Sequence, residues 1–247
     1  INNRNHVYIQ PAGGGAATIM VEDAQQPALR PDGQRLVYRN LRGDARGLTA
    51  LDPATGLELR FTEFGEDTLP SWNGDGNRIT FSSNREGDRL WRVYNLWADV
   101  GSEAQVLVYG NSPDWSPAGD RIAYRGCDES GNRCGLWTMT GSGGDGRPLT
   151  TEPSDDRPDW APSGQFVVFM SNGRHGNPEV YQVGAGDGSV VRLTDDPAID
   201  GLPAVSPDGA CVAFLSNRGG VWAIWAVPAG GGTAQHIAQI DGSVGNW

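Results

Sequence analysis

A chain of 247 residues with 36 glycines, 16 prolines and nine tryptophans has turns in quantity and large apolar side chains for a core, which excludes a disordered chain. A net charge of −11 argues against nucleic-acid binding, which needs a basic footprint. All 19 basic residues are arginines, so chemistry that needs a Schiff-base or phosphate-cradling lysine is excluded.

In chain order, "INNRNHVYIQ" carries no signal-peptide pattern, and no later stretch approaches the roughly 20 apolar residues that span a bilayer. The segment "HVYIQPAGGGAATIM" reads as two strands about a Gly-rich turn and matches "AIWAVPAGGGTAQHI" near the other end, with Pro11 aligned to Pro228 and Tyr8 to Trp225. The chain therefore starts inside a repeating unit. Five complete units follow, opening at "PALRPDGQRLVYRN", "PSWNGDGNRITFSSN", "PDWSPAGDRIAYRG", "PDWAPSGQFVVFMSN" and "PAVSPDGACVAFLSN". Their turn glycines, Gly33, Gly76, Gly119, Gly164 and Gly209, are spaced by 43, 43, 45 and 45 residues.

After each turn an aliphatic residue (Leu36, Ile79, Ile122, Val167, Val212) precedes by two an aromatic one (Tyr38, Phe81, Tyr124, Phe169, Phe214), which puts both on one strand face. The intervening Val37, Thr80, Ala123, Val168 and Ala213 suit a strand covered on both sides. A third strand carries its own aromatic, read as Trp91, Trp137, Tyr181 and Trp225, and the first unit departs with "GLTALD". A Gly-rich turn and a fourth strand ("GRPLTTE", "SVVRLTDD") complete the unit. Four strands in some 45 residues describe a propeller blade.

The Pro-x-Trp-Ser-Pro-Asp-Gly turns, the strands after them, the "SNR" loops at Ser83 to Arg85 and Ser216 to Arg218, and the "LT" of the fourth strands together resemble the TolB-like propeller family of WD40-like PD40 repeats. The expectation is an all-β, six-bladed β-propeller of four-stranded blades closed by strands from both termini. It is one domain over 1–247, with blades at about 27–69, 70–112, 113–157, 158–202 and 203–244 and a sixth from 1–26 plus 245–247. The family's namesake adds an α/β domain that is absent here, and the sixth blade lacks its turn and most of a strand, so the chain reads as a propeller excised from a longer protein or as a family member whose blade is closed differently.

Relatives of this propeller precede hydrolase domains, but the nucleophile elbow Gly-x-Ser-x-Gly is missing. Related oligogalacturonate lyases use a histidine-rich metal site. Here His6, His175 and His236 sit in separate blade contexts, so no metal, cofactor or catalytic residue is expected. "NGDGN" (73–77) and "GSGGDG" (141–146) read as turns rather than a calcium loop and a phosphate loop. Cys127 and Cys134 bracket a short loop that a disulfide can close, and Cys211 reads as an inert buried thiol.

Strands that alternate in direction bring the second-to-third loops and the inter-blade connectors to one face. The connectors there are acidic, with Glu22, Asp23, Glu66, Asp67, Asp155, Asp156, Asp195, Asp196, Asp200 and Asp241, and the loops carry Arg42, Arg85, Arg89, Arg125, Arg174 and Arg218. These charges either pair with one another, stitching adjacent blades, or serve a ligand. The ligand reading places a channel-mouth site at Asp23, Asp67, Asn111, Asp155, Asp156 and Asp200, supported by Trp72, Trp115 and Trp160, and a basic protein or peptide partner suits it. The function expected is a non-enzymatic, monomeric interaction or sensor module of a bacterial envelope protein, periplasmic or extracellular and without membrane insertion of its own. The alternative is the propeller of a larger hydrolase or peptidase, gating or orienting substrate.

Overall fold

The computed structural model describes residues 5–11, 15–99 and 101–240, and among them there is no helix. The chain divides into two compact units, residues 1–115 and 116–247. In the first, β1 (His6–Ile9) pairs antiparallel with β2 (Thr18–Glu22). One four-stranded sheet follows from β3 (Ala24–Leu29), β4 (Leu36–Asn40), β5 (Gly47–Leu51) and β6 (Glu58–Arg60), and another from β7 (Thr68–Trp72), β8 (Arg78–Ser83), β9 (Arg92–Trp97) and β10 (Gln105–Tyr109). β11 (Asn111–Trp115) ends the unit.

The second unit begins with β12 (Arg121–Gly126), β13 (Gly135–Thr140) and β14 (Arg147–Pro148). It continues with β15 (Asp156–Trp160), β16 (Phe166–Ser171), β17 (Glu179–Gly184) and β18 (Val190–Arg192), then β19 (Asp200–Val205), β20 (Cys211–Ser216), β21 (Ala223–Pro228) and β22 (Gln235–Gln239). Every four-stranded sheet, β11–β14 included, keeps its strands in chain order.

Local chemistry accounts for these elements. The five turn glycines take φ of 65–73°, a conformation that costs glycine nothing, and serine, asparagine or aspartate side chains cap the same turns, as Asn73 does for the amides of Asn77 and Arg78. The second strands are covered on both faces, as their composition suggested. In the first unit Leu36 and Tyr38 pack with Val7 and Val21, while Val37 between them faces Ile79, Phe81 and Trp72. In the second, Val167 and Phe169 pack with Leu136, and Val168 faces Val212 and Phe214. Each fully buried aliphatic or aromatic side chain contributes roughly 1.5–3 kcal/mol. The threonine of the "LT" pairs also has a role, because Thr62, Thr150 and Thr194 accept the first free amide of the third strand from Leu48, Leu136 and Val180.

Three sequence expectations change. The sheets number five four-stranded blades and the two-stranded β1–β2 sheet, so the six-bladed expectation is not met. β1 and β2 correspond to the third and fourth strands of a unit. Residues 241–247, with the 245–247 expected to close the sixth blade and with Asp241, lie outside the described residues. The aromatic opposite Phe81 is Tyr94, not Trp91, which precedes β9. Cys211 is exposed. It occupies the place of Arg35, Arg78 and Arg121, one residue before the buried aliphatic, so the repeat itself marks it as an outward position.

One further feature was not legible in the sequence. Gln26, Leu69, Ser112, Arg157 and Leu202 occupy the same place in five first strands and all have φ between 49° and 56°, although none is glycine. In four of these strands the register with the second strand slips at that place, which is a bulge.

Cys127 and Cys134 are bonded, closing the β12–β13 loop. By loop entropy this contributes about 2–3 kcal/mol. Reduction, or Cys127→Ser with Cys134→Ser, is expected to lower the melting temperature by roughly 5–10 °C; a shift under about 1 °C would show that the bridge constrains nothing.

Candidate functional site

Acid–arginine pairs recur at one end of the sheets. Arg85 in the β8–β9 loop donates to Asp67, just before β7, at 2.6 Å. Arg174 in the β16–β17 loop holds Asp155, just before β15, with two bonds: Nε to Oδ1 at 2.9 Å and Nη2 to Oδ2 at 2.6 Å. Arg218 in the β20–β21 loop donates to Asp200 at the start of β19. All three aspartates have 0% exposure. Each guanidinium also lies over two rings of its own sheet: Phe81 and Tyr94, Phe169 and Tyr181, Phe214 and Trp225. The aromatic pairs read from the sequence as core thus also seat a cation, which is held from below by ring faces and from the side by a carboxylate.

Two repeats depart from this device, and both departures start at the acid's position. In the first sheet that position is Ala24, since Ala24 pairs with Asn40 as Asp67 lies beside Ser83. Arg42 turns instead to Glu58 and the Tyr38 hydroxyl, and these bonds hold the Glu58 carboxyl below the usual carboxylate range against the opposing effect of burial. In the repeat that contains β11 the position is Gly110, and the disulfide loop stands where the others carry arginine. A fourth buried carboxylate, Glu179 at the start of β17, accepts from Arg192, Thr194, Asn177 and the Asp196 amide.

Of the six residues placed at a ligand site by sequence, Asp67, Asp155 and Asp200 are therefore buried and held by a guanidinium. Each pair lies within one sheet rather than stitching neighbours, and is half-buried rather than exposed. Asp23, Asn111 and Asp156 are partly exposed. Trp72 donates its indole N–H to the Ala28 carbonyl and belongs to the core with Trp115, and Trp160 is partly exposed. Among the described residues no three His, Cys, Asp or Glu side chains converge as a metal site, and no helix is long and apolar enough to cross a membrane.

The second unit contains a cleft of about 220 Å³ lined by Arg125, Ser154, Asp156, Arg157, Met170 and Asn172. β12 supplies Arg125, the start of β15 supplies Asp156 and Arg157, and Ser154 precedes them in the connector. Met170 ends the apolar side, on β16. Arg125 donates to the Pro153 carbonyl at 2.9 Å, and Asp156 accepts the amide of Arg157. Two arginines and one aspartate thus line a small opening together with Met170. Sequence reading reached Asp156 and Arg125 but missed Arg157, because nothing in "DDRPDW" announces the bulge that positions it.

Comparison with known proteins gives the geometry a family. The TolB beta propeller domain (PD40) model matches residues 2–173. The Tol-Pal system protein TolB of Anaeromyxobacter dehalogenans is 33% identical over 92 residues, 35% of this chain and 20% of that protein. Among solved structures, TolB from Acinetobacter baumannii superposes with a TM-score of 0.83 at 17% identity, covering 95% of this chain and 60% of that one. The β-propeller domain of the trilobed protease from Pyrococcus furiosus superposes with a TM-score of 0.65 at 16% identity, covering 96% and 75%. The chain thus spans less than two thirds of either TolB, and its match to the PD40 model over well over half its length shows that it belongs to the TolB β-propeller family.

Proposed function

We propose that this chain is a non-enzymatic binding module that holds a protein partner at the bacterial cell envelope. Membership in the TolB propeller family carries the reading, together with a relative named for the Tol-Pal system. The Cys127–Cys134 bond adds support, since such bridges persist in oxidising compartments such as the periplasm. The net charge of −11 favours a partner of net positive charge at long range, even though three of the acids counted in it are neutralised inside the fold.

The test is calorimetric titration of the purified chain with the Pal component of the same bacterium. Saturable one-to-one binding is expected, and no heat at about 100 µM protein would reject the Tol-Pal-like role. A second reading, the propeller of a larger hydrolase, is favoured by the likeness to the Pyrococcus furiosus protease propeller. A hydrolase domain encoded in the same gene would select it.

A further inference from the structure

We propose that the cleft beside Arg125 and Arg157 binds a carboxylate side chain presented by a protein partner. This deepens the protein-binding reading above and rests on it. The repeat supplies the internal comparison. In the first unit Arg39, the residue after the second-strand aromatic Tyr38, donates Nε and Nη2 to the Gly65 carbonyl at 3.2 and 2.8 Å, and its Nη2 lies 3.2 Å from a carboxylate oxygen of Glu66. Arg125 is the same residue two repeats on, after Tyr124, and it makes the equivalent bond to the Pro153 carbonyl.

Pro153 and Ser154 precede Asp155 as Gly65 and Glu66 precede Asp67. The position that holds a carboxylate for Arg39 therefore holds a hydroxyl for Arg125. That hydroxyl is already engaged with Glu152, Ser171 and the Gly173 amide. Where the other repeat has Leu69, this one has Arg157, directed by the strained bulge at φ 56°. Neither guanidinium forms an ion pair with a carboxylate among the described residues. Thr68 is Asp156 here, so the acid has moved from the place of Glu66 to that of Thr68 while a second cation has been added, which leaves two arginines with one acid between them and set for an incoming carboxylate.

The dimensions select the occupant. About 220 Å³ is below the range of small-molecule sites but admits one acidic side chain, its methylenes against Met170 and its carboxylate between the arginines, with the Asn172 amide at the rim. A doubly charged phosphate suits the place less well, because it would face the Pro153 carbonyl and Asp156. The chain's net charge does not forbid an acid here: at physiological salt it is screened beyond about 8 Å, whereas the guanidinium groups act at hydrogen-bond range.

The probe is a dye-labelled, acetylated and amidated peptide with three central glutamates, followed by fluorescence anisotropy at 50 and 300 mM NaCl, with its glutamine counterpart as control. The glutamate peptide is expected to bind saturably and to weaken with salt, and the glutamine peptide not to bind. Arg157→Gln and Arg125→Gln should each weaken binding about tenfold or more. Ser154→Glu restores the carboxylate that Arg39 has and should abolish binding; because it also gives up the Ser154 bonds to Glu152, Ser171 and the Gly173 amide, Arg157→Gln, on a partly exposed side chain, stands in if that variant melts early. Equal binding of the two peptides, or binding that survives both Ser154→Glu and Arg157→Gln, would overturn the proposal. Free glutarate competing as tightly as the peptide would do so too, by marking a site for small acids. If the Pal titration persists in Arg157→Gln while the peptide fails to bind the parent chain, the cleft assignment falls and the binding function stands.

Discussion

Arg174→Ala is expected to destabilise the second unit by about 3–5 kcal/mol, and Asp155→Ala by only about 1–3. The asymmetry follows from which partner is out of water. Asp155 has no exposed surface, so removing the guanidinium strands a carboxylate that nothing else in the pair can neutralise. The Arg174 side chain keeps 22% of its exposure and can turn toward solvent once the acid is gone. Arg174→Lys should recover little, because an ammonium cannot make both bonds to Asp155 and loses the planar contact with Phe169 and Tyr181. Urea unfolding of the three variants decides the matter, and equal losses for Arg174→Ala and Asp155→Ala would show that burial of the acid does not set the cost.

The Asp200–Arg218 pair should behave differently. Burial raises the Asp200 carboxyl above the usual carboxylate range and the charge of Glu179 adds to this, against the opposing influence of Ser216, the Arg218 charge and Thr194. A folded-state value above the unfolded one means a stabilising contribution that is complete below the unfolded value and lost as pH rises through the folded one. The folded state therefore favours the neutral carboxyl, which an asparagine amide resembles. Asp200→Asn is therefore expected to be milder than Asp155→Asn at pH 7.

Gly47→Ala is expected to cost about 3 kcal/mol or more in the first unit. Gly47 has φ 126°, and a Cβ there would stand 2.3 Å from the Thr62 carbonyl oxygen and 2.8 Å from its carbon. Those atoms cannot swing aside as a side chain could, since Thr62 is bound twice to Leu48, through Oγ1 and through its own amide. Relief requires the fourth strand to separate from the third. Gly56→Ala serves as the control: φ is 73° but nothing lies within 4 Å of the added carbon, so only the left-handed conformation is penalised, at roughly 1–2 kcal/mol. Equal urea midpoints for the two variants would remove the close approach as the cause.

Much of this fold was legible because its period is long and its turns are chemically explicit. A turn glycine, after proline in four of five repeats, marks each hairpin, and the alternation around Tyr38, Phe81, Tyr124, Phe169 and Phe214 places aliphatic and aromatic residues on one face with small or β-branched ones on the other. The repeat alignment also contained two facts that went unread: Cys211 stands among arginines, and Ser154 stands where Glu66 pairs with Arg39. Both needed only a comparison of columns.

The charged connectors were a different matter. Composition and spacing showed that acids and arginines share one end of the sheets, but not that Asp67, Asp155 and Asp200 are buried, because a carboxylate beside a strand reads the same whether it faces water or a guanidinium over two rings. The bulge at Arg157 was likewise invisible, since its φ comes from pairing with the second strand and no glycine or asparagine marks it. By itself the sequence determined strand order, turn type and the two-faced core, because these follow from local conformation and period. Only the tertiary structure decided which charges are neutralised and which, as at Arg125 and Arg157, are left facing a cleft, because the cost of an ion depends on what surrounds it in space rather than on its neighbours along the chain.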